Sequence, residues 1–174
     1  MSELNLISKL HNSTKRNYLK RMLNEKVKCM KISKRYEFDY WDGDRKYGYG
    51  GYKFIPGRWK NVANKLIKKY KLSNNSKILD IGCGKAFLLY EMKKILPGMK
   101  VHGLDISSHG IKNAPKLIRD NLAKYDIRKG LNFKKKSFDL VISLACLHNL
   151  EISHLFKIIK KINMIGKKKY IMVE

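Results

Sequence analysis

The stretch Lys77-Ile-Leu-Asp-Ile-Gly-Cys-Gly-Lys-Ala-Phe-Leu-Leu89 constrains this chain more than any other. Ile78, Leu79 and Ile81 form an apolar run too short for a helix, and it stops at Gly82. Such a run fits a strand buried on both faces of a parallel sheet. Phe87, Leu88, Tyr90, Glu91 and Ile95 then fall at helical spacing between Ala86 and Leu96. Gly82-Cys83-Gly84 lies between, where the backbone can turn sharply and a ligand can approach it closely. A strand, a glycine turn and a helix N-terminus in that order form a nucleotide-binding arrangement.

Two patterns compete for this turn. The Gly-x-Gly-x-x-Gly/Ala fingerprint of dinucleotide sites puts its third small residue at position 87, where Phe87 would spoil the close helix–strand contact. The pattern acid-x-Gly-x-Gly-x-Gly fits better, with Asp80, Gly82, Gly84 and Ala86 in the third small position. In this it resembles the first motif of the class I S-adenosylmethionine-dependent methyltransferases.

The rest of the chain alternates strands and helices. Tyr18, Leu19, Met22, Leu23, Val27 and Met30 make one helical face after a Ser13 or Thr14 cap, expected to pack on the domain. Residues 37–59 concentrate tyrosine, tryptophan, glycine and charge with no helix or strand period. Flat hydroxylated rings beside glycines suit a lid over a ligand, with Tyr47, Tyr49, Tyr52 and Arg58 as its contacts. A helix over 58–70 buries Val62, Ala63, Leu66 and Ile67. Lys100–Asp105 reads as a second strand ending in an acid, and Asp105 suits the two hydroxyls of a ribose. Ser107 or Ser108 caps a helix running to about Ile118. Residues 121–125 and 137–144 are the third and fourth strands. Ile152, Leu155, Phe156, Ile159 and Ile162 recur along a crossover helix over 151–163, and Lys169–Glu174 is a fifth strand. This alternation requires a parallel sheet covered on both faces.

Beyond the glycine turn, the methyltransferase resemblance extends to Asp105 after strand two, Asp126 after strand three and Phe138-Asp139 entering strand four. The aromatic loop together with Leu147-His-Asn-Leu150 resembles a bacterial subgroup of small methyltransferases. The resemblance implies an α/β fold: a Rossmann-like, doubly wound sheet of five parallel strands in the order 3-2-1-4-5. Residues 1–57 form an N-terminal helix and lid, and 58–174 the cofactor core. The family's sheet normally adds an antiparallel hairpin of strands six and seven. Here the sequence stops after strand five, so an open edge is expected, for a second copy to cover as a homodimer or for a longer chain to complete.

By the same resemblance the cofactor is S-adenosylmethionine. Its methionine part lies over Gly82, Cys83 and Gly84, with Ile81 alongside and Asp80 holding the turn. Asp105 takes the ribose, Asp126 and the Ile127 backbone the adenine edge, and Ile106 and Leu144 the ring faces. His148, just past strand four, is the candidate catalytic base, with a capping histidine as the equal alternative. After strand four stands Ser143-Leu-Ala-Cys146, without the proline clamp of base-flipping methyltransferases and without a Pro-Cys nucleophile. That favours a small-molecule acceptor, and Arg45, Arg58 and nearby lysines point weakly to an anionic one.

Charge is the main counter-argument. Of 39 Lys and Arg, only seven are arginine, and the formal net charge is +25. A polyanion partner would explain it, but the excess is scattered lysine rather than the arginine that reads phosphates and bases. An RNA- or polyanion-directed methyltransferase is one alternative reading, and a non-catalytic cofactor-binding domain the other. Three cysteines without metal-ligand spacing, no apolar span and an N-terminus carrying Glu3 lead to the expectation of a cytoplasmic protein with no metal and no membrane segment.

Overall fold

The computed structural model describes Leu6, Ile7 and residues 25–172. Its elements, in chain order, are α1 (Lys26–Ser33), α2 (Phe38–Trp41), α3 (Lys60–Tyr70), β1 (Lys77–Ile81), α4 (Phe87–Ile95), β2 (Lys100–Asp105), α5 (Ser108–Lys112), α6 (Lys116–Arg119), β3 (Leu122–Lys124), β4 (Phe138–Leu144), α7 (Ile152–Ile165) and β5 (Gly166–Met172). The five strands form one sheet in the order β3-β2-β1-β4-β5, every pair parallel.

β1 lies at the centre, and the two-residue period of a strand divides its side chains between two cores. Ile78 joins Val101, Leu140 and Ile142 beneath Leu66 of α3 and Leu89 and Met92 of α4. Leu79 and Ile81 join Leu104, Phe138 and Val141 beneath Ile158, Ile162 and Ile165 of α7. Ile78, Leu79 and Ile81 are all fully buried, which is why the strand reads as an unbroken apolar run. Truncating any of them to alanine removes about 2–5 kcal/mol.

Several elements depart from expectation. The helix expected from Ser107 to Ile118 is two short ones, because Pro115 has no N–H to donate and its extended backbone (ψ 136°) cannot continue α5. Of the apolar residues expected along α7, Leu155, Ile159 and Ile162 pack on the core and two do not. Ile158, Ile162 and Ile165 are buried, whereas Ile152 and Phe156 are 72% and 70% exposed. Its sequence is apolar on more than one side, so the pattern does not select which row docks. β5 begins at Gly166 rather than Lys169, since α7 runs straight into it. A Cβ on Gly166 would lie 2.8 Å from the Val141 side chain, too close for a larger residue without a shift. α1 has no buried residue, and Val27 and Met30 stand in solvent, so this end of the expected N-terminal stripe does not pack on the domain. Tyr18, Leu19, Met22 and Leu23 lie outside the described residues.

Candidate active site

β1 ends at Ile81, and the chain reverses through Gly82 (φ 77°) and Gly84 (φ 56°) before α4. Both glycines hold left-handed backbone and have no room for a side chain. A Cβ on Gly82 would come within 2.4 Å of the Cys146 sulfur, and one on Gly84 within 2.4 Å of the Trp41 ring. The turn is held by β2. Gly82 and Cys83 donate to the Leu104 carbonyl at 2.8 and 3.1 Å, and Gly84 donates to Asp105 Oδ2 at 2.7 Å. Asp80, expected to hold the turn, accepts no hydrogen bond from any described residue. The residue is 4% exposed and lines a cavity. Burial, then the charge of Asp105, pushes its carboxyl up to about 7.

Asp105 closes β2 at 8% exposure. Its Oδ1 accepts from Ser107 N–H at 2.8 Å and its Oδ2 from Gly84. Burial raises its carboxyl, and these backbone donors oppose the rise. A carboxylate offers about four lone-pair sites, which the backbone donors of Ser107, Gly84 and Ile106 do not exhaust.

The segment after α1 folds down onto this turn. Trp41 donates from Nε1 to Ser107 Oγ at 2.9 Å and to the Tyr36 carbonyl at 3.0 Å. Glu37 receives the Ser108 and His109 N–H groups at 3.0 and 2.7 Å. Asp42 accepts Lys85 Nζ at 2.7 Å on each oxygen, lies 2.7 Å from His109 Nε2, and accepts Tyr52 N–H at 3.1 Å. Lys85 is 5% exposed and also donates to the Tyr52 carbonyl at 2.8 Å. Trp41 stacks on Tyr49 with ring centroids 5.3 Å apart, and Tyr52 on Phe87 at 5.1 Å. The aromatic segment is a cover pinned to the core by charge pairs and packed rings, and its first residues form the single turn α2 where no helix was expected.

Between turn and cover lies a cavity of about 270 Å³, near the lower end of ordinary ligand sites. Its wall brings together Asp80, Gly82, Cys83, Gly84, Leu144, His148, Tyr49, Tyr52 and Arg58 from the expected set. Asp105, Ile106, Asp126, Ile127, Ile81 and Tyr47 are not on that wall. Ile81 is fully buried and Ile127 nearly so, while Ile106 is 38% exposed. Asp126 lies in a fork with Arg128, at 2.9 and 3.0 Å from Nε and 2.6 Å from Nη2. Tyr47 stands under the Lys46 ammonium, 4.9 Å from its ring centre. His148 is exposed at the rim, with Nε2 3.1 Å from Asn149 Nδ2.

Glu37, Tyr40, Trp41, Asp42 and Lys85 escaped sequence reasoning. The one signal was Lys85 itself, a lone charge between the glycine turn and an apolar helix, which demands a buried counter-ion. Nothing in the sequence spacing identifies Asp42 as that counter-ion.

The buried Asp80 carboxylate, unpaired among the described residues and beside two side-chain-free turn positions, fits the cationic amino-acid end of S-adenosylmethionine. The residues expected on its adenosine side lie at the ends of β2 and β3. Among the described residues no three of His, Cys, Asp and Glu gather as a metal site, and no helix is long and apolar enough to cross a membrane.

Comparison with known proteins accords with this geometry. The family profile of a methyltransferase domain matches residues 72–174. The chain belongs to that family, and its fold is the class I fold of S-adenosylmethionine-dependent methyltransferases. Phosphoethanolamine N-methyltransferase 2 of Haemonchus contortus, solved with S-adenosyl-L-methionine, is 23% identical with a TM-score of 0.56, over 78% of this chain and 34% of that one. The PH0226 protein of Pyrococcus horikoshii OT3 is 24% identical with a TM-score of 0.54, over 77% and 62%. A Methanococcus maripaludis protein, assigned to S-adenosyl-L-methionine-dependent methyl transfer, is 21% identical with a TM-score of 0.54, over 65% and 54%. The chain thus spans 34–62% of the length of these three structures. No curated protein matches it. S-adenosylmethionine is the cofactor of the class to which the chain belongs.

Proposed function

We propose that this chain transfers a methyl group from S-adenosylmethionine to a small-molecule acceptor held between the glycine turn and the aromatic cover. The observation that carries the reading is Asp80: a residue 4% exposed, its carboxylate without a hydrogen-bond partner among the described residues, on the cavity wall beside Gly82 and Gly84. A buried acid in that state is costly alone and stabilised by a cationic ligand.

The donor, when bound, supplies an already activated methyl group on a positively charged sulfur. Asp80 then balances positive charge and the glycine backbone admits close approach. Asp105 offers its remaining lone pairs to ribose hydroxyls. Ile106 and Leu144 flank the adenine ring, and the Ile127 backbone with Asp126 meets its edge. Tyr40, Trp41, Tyr49 and Tyr52 exclude water above the reacting atoms. In such a site most of the acceleration comes from holding two reactants in line. His148, at the rim, takes the proton when the acceptor is a hydroxyl or an ammonium.

Calorimetric titration of the full chain with S-adenosylmethionine and its demethylated product tests the reading. Saturable binding that Asp105→Ala weakens at least tenfold supports it. An absence of binding to the unaltered protein would overturn it.

A further inference from the structure

Asp80 is not the only unneutralised charge on this cavity. Arg58 lines the same wall, just before α3, and is half-buried. Among the described residues its guanidinium has no hydrogen-bond or ion-pair partner. The other arginines with side-chain partners contrast with it: Arg119 is held by the Ala114 carbonyl and Arg128 by Asp126. Arg45, on the same wall, hydrogen-bonds the Gly48 carbonyl. Arg58 is flanked by aromatic neighbours, since Trp59 Nε1 donates to the Tyr52 hydroxyl at 3.2 Å and both rings line the cavity.

A guanidinium partly removed from water and offered no acceptor is stabilised by any ligand that brings one. Its planar fork matches a carboxylate or a phosphate bidentately. We infer that Arg58 is an anion seat: it holds a carboxylate or phosphate group of a ligand bound beneath the cover, in the cavity that the cation seat at Asp80 also lines. The inference deepens the methyl-transfer reading and rests on it. Two ligands present this chemistry. One is the donor, whose amino-acid end carries an ammonium for Asp80 and a carboxylate for Arg58. The other is an acidic methyl acceptor.

The test uses the full chain with Arg58→Ala and Arg58→Lys, each checked for fold by circular dichroism. S-adenosylmethionine and its decarboxylated analogue, which lacks only the carboxylate, are titrated calorimetrically. Inorganic phosphate and acetate are titrated separately against the fluorescence of Trp41 and Trp59, with and without donor. If the donor's carboxylate occupies the seat, Arg58→Ala lowers S-adenosylmethionine affinity about tenfold or more and leaves the analogue unchanged, while Arg58→Lys recovers part of the loss. If an acceptor's anion occupies it, donor affinity is unchanged, and phosphate or acetate shifts the fluorescence of the donor-loaded protein but not of Arg58→Ala. Equal losses for both donors mark a packing role and overturn the seat, as does no response in either arm. Should the donor fail to bind the unaltered protein, the methyl-transfer reading falls, and the anion titration without donor decides the seat alone.

Discussion

Lys85 places its ammonium 2.7 Å from both carboxylate oxygens of Asp42, tying the residue after the glycine turn to the cover above it. The two side chains are 6% and 22% exposed. Removing one partner of a largely buried pair costs more than the pair contributes, because the other charge is left desolvated. Asp42→Asn is therefore expected to destabilise the protein by about 2 kcal/mol, the partial exposure of Asp42 keeping it below the fully buried case. Urea unfolding gives the number. Trp41 emission should shift to the red as the cover loosens, and an unchanged spectrum with unchanged stability would mean that the pair does not hold it.

The same acid defines an acidic limit. Burial pushes the Asp42 carboxyl up, but the hydrogen bonds from His109 and Lys85 more than reverse this and hold it below the usual carboxylate range. A depressed folded value contributes stability that is present above the unfolded value near 3.8 and lost as pH falls through the folded one. Stability measured from pH 5 downward should fall, and less steeply in Asp42→Asn.

Asp80 has the opposite sign. Its folded value of about 7 lies above the unfolded 3.8, so the native state binds the extra proton, and stability declines as pH rises from about 4 to 7. The full effect is on the order of 4 kcal/mol. Asp80→Asn should flatten that slope and leave the ligand-free protein more stable than the unaltered one at pH 8. It should also weaken binding of the cationic donor, whose affinity for the unaltered protein should rise with pH through about 7. Urea midpoints and calorimetry across pH 5–8 check both halves. A donor affinity independent of pH would show that Asp80 does not meet the positive charge.

Gly84→Ala tests how closely cover and turn are fitted. The added Cβ would lie 2.4 Å from the Trp41 ring, at φ 56°. Backbone strain in the left-handed region and displacement of the ring together should cost about 2 kcal/mol. In the double variant with Trp41→Ala the clash disappears, so the two losses should sum to more than the double variant shows. Strict additivity would place the ring away from the turn.

His148→Ala should lower the turnover of methyl transfer by about a hundredfold or more if the residue is the base, with donor affinity unchanged. Turnover against a single acceptor, measured alongside calorimetry, separates this from a structural role, in which stability falls and turnover per folded molecule does not.

Local pattern and tertiary arrangement contributed unequally to these expectations. The strand–glycine–helix unit at 77–89, the acid at Asp105 and the alternation of elements could be read directly, since each rests on residues adjacent in the chain. A strand buried on both faces must be apolar throughout, and a turn at positive φ selects glycine. The orientation of α7 could not be read in this way. Ile152 and Phe156 are as apolar as Ile158 and Ile162, and only the sheet's shape decides which row docks.

The site divides along the same line. Local pattern was enough for the sheet, the bend after β1, the acid one unit later and an aromatic segment able to cover them. Only the folded chain decided that Asp42 reaches Lys85 and His109, that Trp41 settles against Gly84, and that the Asp80 and Arg58 side chains line one cavity without partners among the described residues. The physical reason is range. Backbone conformation answers to neighbours a few residues away, whereas the pairing of buried charges is settled between groups tens of residues apart, by which of them the fold removes from water together.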